Sequence, residues 1–120
     1  MIVVADAGPL IHLGAIGQLE LIRRLSAEVL VPRAVFDEVV VVGAGLPGAA
    51  EVQAATWISV VTPARVEVVA ALLASVLHRG EAEAIAVAVE RGADRLLIDE
   101  RQAASRPRPW GWRSSVRLAS

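Results

Sequence analysis

Cysteine, lysine and tyrosine are missing from this 120-residue chain, and methionine occurs once. Without cysteine there is no disulfide framework, no thiolate zinc or iron–sulfur site and no thiol nucleophile, which fits a reducing compartment, the cytosol. Without lysine there is no P-loop and no Schiff-base chemistry, and no serine stands in a G-x-S-x-G elbow. Long hydrophobic runs are lacking too. No apolar stretch nears the roughly 18 to 20 residues of a membrane span, and residues 1–5 have neither the basic start nor the long apolar region of a signal peptide. Neither secretion nor membrane insertion is expected.

What is present is a composition 55% hydrophobic with a formal net charge of −1. A chain of this size hides roughly two thirds of its unfolded surface, enough for one domain with a core of its own. The neutrality is uneven. Residues 1–100 hold all thirteen acids and seven arginines, whereas residues 101–120 hold five arginines and no acid.

The pattern along the chain alternates strands and helices. Ile2–Ala5 reads as a short buried strand ending on Asp6, with a helix starting near Pro9. Val29–Val31 is a second strand, followed from Pro32 by a helix that carries Asp37 and Glu38. Residues 43–48 are a glycine-rich loop, residues 49–55 a short helix, and Trp57–Val61 a third strand, with Trp57 in the core. Helices are expected over about 65–78 and from Gly80 to Gly92, and Arg95–Ile98 is a fourth strand ending on Asp99. Strands separated by helices imply an α/β fold with a mostly parallel sheet covered on both faces. Ligands bind beyond the carboxyl ends of such strands, where Asp6 and Asp99 lie.

Asp6, Glu38, Glu81 and Asp99 form a candidate acidic constellation. Each has a plain alternative as a helix cap, a helix-dipole partner or a surface residue. Gathered carboxylates repel unless a hard divalent cation neutralises them, and Mg2+ or Mn2+ is the usual catalyst of phosphodiester hydrolysis.

Four segments together resemble the PIN-domain nucleases, in particular a prokaryotic branch carried as a domain of unknown function. They are Val3-Val4-Ala5-Asp6-Ala7-Gly8-Pro9-Leu10-Ile11, Val31-Pro32-Arg33-Ala34-Val35-Phe36-Asp37-Glu38-Val39, Gly80-Glu81-Ala82-Glu83-Ala84-Ile85-Ala86-Val87-Ala88 and Leu96-Leu97-Ile98-Asp99-Glu100. The resemblance covers residues 1 to about 103. It implies a PIN-like three-layer αβα fold and a Mg2+- or Mn2+-dependent ribonuclease that cleaves RNA and leaves a 5′-phosphate. It also implies a toxin role beside a small DNA-binding antitoxin, and frequent homodimers. Asp6, Glu38, Glu81 and Asp99 match the family's four acids in order, with Glu83 as the substitute for Glu81. The hydroxyl residue that many members carry beside the first acid or before the last is missing, because Ala7 and Leu97–Ile98 stand there.

Gly43-Ala44-Gly45-Leu46-Pro47-Gly48 satisfies G-x-G-x-x-G, a distant alternative reading as a dinucleotide-binding module. Pro47 removes a backbone N–H from that loop, and the preceding valines continue a helix, so a surface loop is the better account. His12 and His78 match no zinc spacing and read as buried or surface histidines.

Beyond Gln102 the periodic pattern stops, and an Arg/Pro/Trp tail over residues 104–120 takes the place of the expected fifth strand and helix. Read in the neighbouring frame, Pro109-Trp110-Gly111-Trp112-Arg113 becomes an aliphatic-Gly-aliphatic-Ala string, and the frame continues into a segment similar to the family's fifth strand. The tail from about Ala103 or Ala104 therefore reads as a frameshift product, which leaves a domain of residues 1–103 without its native last strand and helix. A truncated, inactive protein that only binds an antitoxin or itself is the alternative function.

Overall fold

The structure is a computed structural model that describes residues 1–25, 28–74, 78–99 and 116–118. Five parallel strands form one sheet in the order β3-β2-β1-β4-β5. They are β1 (Ile2–Ala5), β2 (Glu28–Pro32), β3 (Ile58–Val61), β4 (Arg95–Asp99) and β5 (Val116–Leu118). Between β1 and β2 come α1 (Ala7–Ala15) and α2 (Glu20–Leu25). Between β2 and β3 come α3 (Arg33–Phe36) and α4 (Ala49–Ala54), and α5 (Val66–Leu73) and α6 (Arg79–Arg91) lead back to β4.

The strands are buried on both faces, as a parallel sheet requires. Val3, Ala5, Val29, Val31 and Leu97 point to one core with α1, α2, α3 and α4, while Val4, Leu30 and Leu96 point to the other with α5 and α6. This alternation is the two-residue period of a strand, and it gives the three-layer αβα arrangement expected from the sequence. On the second face α6 lies against α3, α5, β1 and β2, and its buried run of Ala82, Ala84, Ala86 and Ala88 keeps the helix slim enough to sit among them.

Three local features differ from the sequence reading. The expected continuous helix after Pro32 widens after α3 into a π-helical turn over Asp37–Val42, in which the Gly43 N–H reaches the Glu38 carbonyl at 3.0 Å. Four successive valines at positions 39–42 crowd an ordinary α-helical turn, so a wider turn suits them. Second, the expected helix over 65–78 is shorter: α5 ends at Leu73, and His78 is extended, with φ −78° and ψ 160°. Third, the tail expected to leave the sheet short of an edge strand contributes β5, whose Val116, Arg117 and Leu118 pair with Leu97, Ile98 and Asp99. A backbone ladder of three residues demands little of its side chains, so a short Val-Arg-Leu segment can supply it. The remainder of the tail lies outside the described residues.

The chain runs outward from β1 to β3 and then returns to the other side of β1 as β4. The carboxyl end of β1 is therefore the point where the winding reverses, the usual place for a binding crevice in such sheets.

Candidate functional site

Asp6 follows the last residue of β1. Its N–H donates to the Leu97 carbonyl of β4 at 3.0 Å, and its Oδ1 accepts the Ala7 N–H at 2.8 Å. The residue is 4% exposed. The sequence posed cap and site as alternatives for this aspartate; in the structure it caps α1 and also lines an open cleft.

Glu38 comes from the π-helical turn after β2, and Glu81 from the first turn of α6. The geometry that relates Glu38 to Asp6 is at Gly80, the residue before Glu81. A Cβ at this position would lie 2.8 Å from Glu38 Oε1 and 4.0 Å from Asp6 Oδ1. Two carboxylates from different elements thus reach toward the same point, in space that a side chain at position 80 would occupy. Glu81 stands beside them, its Oε1 shielded from solvent. Asp6, Glu38 and Glu81 line one cavity of about 550 Å³, whose floor is made by Ala7, Gly8 and Ile11 of α1 and whose rim carries His12 and His78.

The backbone of Asp99 closes β4 beside this cleft, two residues past Leu97, the partner of Ala5. Its side chain lies outside the described residues. Glu83, the substitute for Glu81, goes elsewhere. It is buried against the start of α3, where Oε1 accepts the Ala34 N–H at 3.0 Å and Oε2 pairs with Arg79 at 3.6 Å. Two residues along a helix turn a side chain by roughly 200°, which separates Glu83 from the cleft that Glu81 faces.

The electrostatics combine like charges with the positive end of a helix. Carboxylates brought this close repel, while the amino end of α6 favours negative charge next to it. The donors are all carboxylate oxygens, the set preferred by hard divalent cations, which often take one or two protein carboxylates and fill their other positions with water and phosphate oxygens. Among the described residues no group of three His, Asp or Glu side chains is close enough to hold one ion by itself. Gly80 keeps a side chain out of the gap between Glu38 and Asp6, and two carboxylates completed by waters are a donor set that suits such an ion.

The sequence model of a family described as a PIN domain matches residues 2–107. The chain belongs to the PIN-domain family. PIN domains are generally nucleases and typically use divalent metals, so the acidic cleft at the winding reversal is where this PIN domain's chemistry should be sought. No curated protein and no solved structure matches the chain.

The glycine-rich loop does not have the setting of a dinucleotide site. It follows the π-helical turn instead of a strand, and Gly48, with φ 94°, packs on α1: a Cβ there would be 2.9 Å from the Ile11 carbonyl oxygen. Its glycine permits two backbones to touch. His12 and His78, 66 positions apart, stand on one rim of the cleft, and both are exposed, the surface alternative of the sequence reading.

Proposed function

We propose that this PIN domain is a divalent-metal-dependent endoribonuclease that hydrolyses RNA phosphodiesters through Asp6, Glu38, Glu81 and Asp99. The observation that carries the reading is the approach of Glu38 and Asp6 to the space at Gly80, with Glu81 in the same cleft. In this reading the four carboxylates hold Mg2+ or Mn2+, which when bound supplies a water of lowered pKa and offsets the charge of the phosphate. The protein contributes position. Asp6 is fixed by its β4 and Ala7 hydrogen bonds, Glu38 by the π-helical turn, and Glu81 by the first turn of α6. Water attacks phosphorus in line as the bond to the 3′ oxygen breaks, and a carboxylate oxygen of the set, acting through water, takes the proton. The products are a 5′-phosphate and a 3′-hydroxyl.

The wider role is a cytoplasmic toxin held by a small DNA-binding antitoxin, with a second copy of the chain as a further partner. No helix among the described residues is long and apolar enough to cross a membrane. The residues from about Ala103 or Ala104 onward are read as a frameshifted tail, and sequencing the locus tests that: an alternate frame that does not continue with family-like residues removes it.

Cleavage of a labelled oligoribonucleotide in Mn2+ tests the nuclease reading. Wild-type protein should cut and chelator should stop it. Asp6→Asn, still folded by circular dichroism, should lose at least about 100-fold in rate. Undiminished cleavage by that variant contradicts the assignment. The second reading, a PIN-like binder without catalysis, is favoured by Ala7, which puts a methyl group on the cleft wall where a hydroxyl could orient water. Metal-independent binding to a partner, with no cleavage of any RNA, would select it.

A further inference from the structure

We infer that the shallow groove along α4, between Leu46 and Trp57, docks a segment of another protein that carries arginine and apolar side chains, with a guanidinium seated against Trp57 and Glu51. The nuclease reading is not needed for this, since no residue lines both the groove and the acidic cleft.

Two hollows make up the groove, and Glu51 of α4 lines both. One, of about 250 Å³, lies between Leu19, Ala54 and the half-buried Trp57 just ahead of β3. The other, of about 330 Å³, lies between Ala15, Leu46, Pro47 and Ala50. These parts are held in place. Packing of α1 on α4 fixes the stem of Glu51, because a Cβ at Gly14 would lie 3.6 Å from Glu51 Cβ. The Leu46 N–H donates to the Gly43 carbonyl at 2.9 Å, and its carbonyl accepts the Ala49 N–H at 3.2 Å. Leu46 and Ile16, which follows Ala15, are nonetheless 64% and 68% exposed. Apolar side chains gathered at a concave surface and rimmed by polar groups are the pattern of a protein interaction site.

Charge selects the occupant. The charged groups lining the two hollows are both carboxylates, Glu20 and Glu51. Glu20 is engaged with Arg23 at 3.5 Å, whereas Glu51 has neither a hydrogen bond nor an ion pair with any described residue. An indole beside a carboxylate suits a planar guanidinium, which stacks on the one and hydrogen-bonds the other, better than it suits a compact ammonium. A second copy of the chain fits poorly. A two-fold contact sets one patch against itself, which would bring Glu20 and Glu51 of both copies together. The surroundings add to the repulsion, since residues 1–100 carry thirteen acids against seven arginines.

Peptide binding, followed by calorimetry and by the Trp57 indole N–H signal in proton–nitrogen NMR spectra, tests the inference. The probes are a short acetylated and amidated peptide of alternating leucine and arginine, and its counterpart with citrulline in place of arginine. The arginine peptide should shift the Trp57 signal saturably and bind at least about tenfold tighter than the citrulline one, the size of one charged hydrogen bond. Glu51→Gln should remove most of that preference. Trp57→Leu should weaken binding about threefold and Leu46→Ser about fivefold. Glu51 and Leu46 are exposed, so their variants keep the test decisive even if Trp57→Leu fails to fold. Glu67→Gln, at an exposed acid outside the groove, should bind as the wild type does. Equal binding of the two peptides overturns the inference, as does an equal loss in Glu67→Gln and Glu51→Gln, the mark of diffuse attraction. Self-association of the wild type that Leu46→Ser abolishes would give the groove to a second copy and overturn it too. RNA cleavage by Glu51→Gln should equal that of the wild type; a fall in step with peptide affinity would place Glu51 in the acidic cleft and contradict the inference.

Discussion

Two regions at the start of α6 use the same side chain in opposite ways. On one side Glu81 joins Asp6 and Glu38 around an open cleft, a gathering of like charges. Two residues further on, Glu83 is buried at the joint with α3, where it meets an amide N–H and the guanidinium of Arg79. At the far end of α6 the pattern of the joint repeats, because Glu90 accepts the N–H groups of Ala64 and Arg65 before α5 at 2.9 and 3.0 Å. The contrast separates carboxylates that hold helices together from carboxylates collected in one place despite their repulsion. Asp6 also caps α1 and Glu81 sits at the positive end of α6, yet carboxylates gathered in one cleft repel unless a ligand offsets the charge.

The sharpest way to break this contrast is to neutralise each glutamate in turn. Glu81→Gln should cut RNA cleavage by at least about 100-fold in protein that still folds. Glu83→Ala should do the reverse, costing about 1 to 3 kcal/mol in urea unfolding through the unsatisfied Ala34 N–H and the lost Arg79 pair. If both changes cost stability and neither touches activity, the two regions are of one kind.

Gly80→Ala should have an intermediate effect. The added methyl displaces the end of the flexible Glu38 side chain and no backbone, so stability should stay within about 1 kcal/mol, helped by alanine's better helix propensity. Metal affinity measured by calorimetry should fall about tenfold as the cradle fills. An unchanged affinity would mean that Glu38 and Asp6 do not work through that space.

The smallest effect belongs to Glu67, an acid outside both regions. It is fully exposed, and its carboxyl is held below the ordinary carboxylate range by a backbone hydrogen bond and then by the Arg65 guanidinium, whose Nε donates to Oε1 at 3.0 Å. A lowered folded-state pKa means that the contribution is complete above the ordinary carboxylate value and fades as pH falls through the folded one. Glu67→Gln should therefore flatten the acid side of a melting-temperature profile slightly and leave neutral pH and cleavage alone. A shift in cleavage would place Glu67 in the site.

Much of this arrangement was legible in the sequence because it depends on local periodicity. The buried strands and the acids at strand ends follow from a spacing of two residues, and the different directions of Glu81 and Glu83 from one of 3.6 residues. The π-helical turn was not, since a hydrogen bond from residue 43 back to 38 leaves no period of its own, and only the run of valines at 39–42 hinted at crowding. Nor was the role of Gly48, which shows only when α1 and the start of α4 are seen to touch. That His12 and His78 share one rim was hidden for a related reason: a lone histidine carries no pattern, and only the closure of β1 beside β4 brings α1 and the start of α6 together.

The central claim is that Asp6, Glu38 and Glu81 are collected to bind a divalent cation, and Mn2+ titration by isothermal calorimetry tests it most directly. The wild type should bind Mn2+ saturably, Asp6→Asn and Glu81→Gln should weaken that binding by tenfold or more in folded protein, and Glu83→Gln should bind as the wild type does. Absence of Mn2+ binding by the wild type, or equal binding by all four proteins, would contradict it.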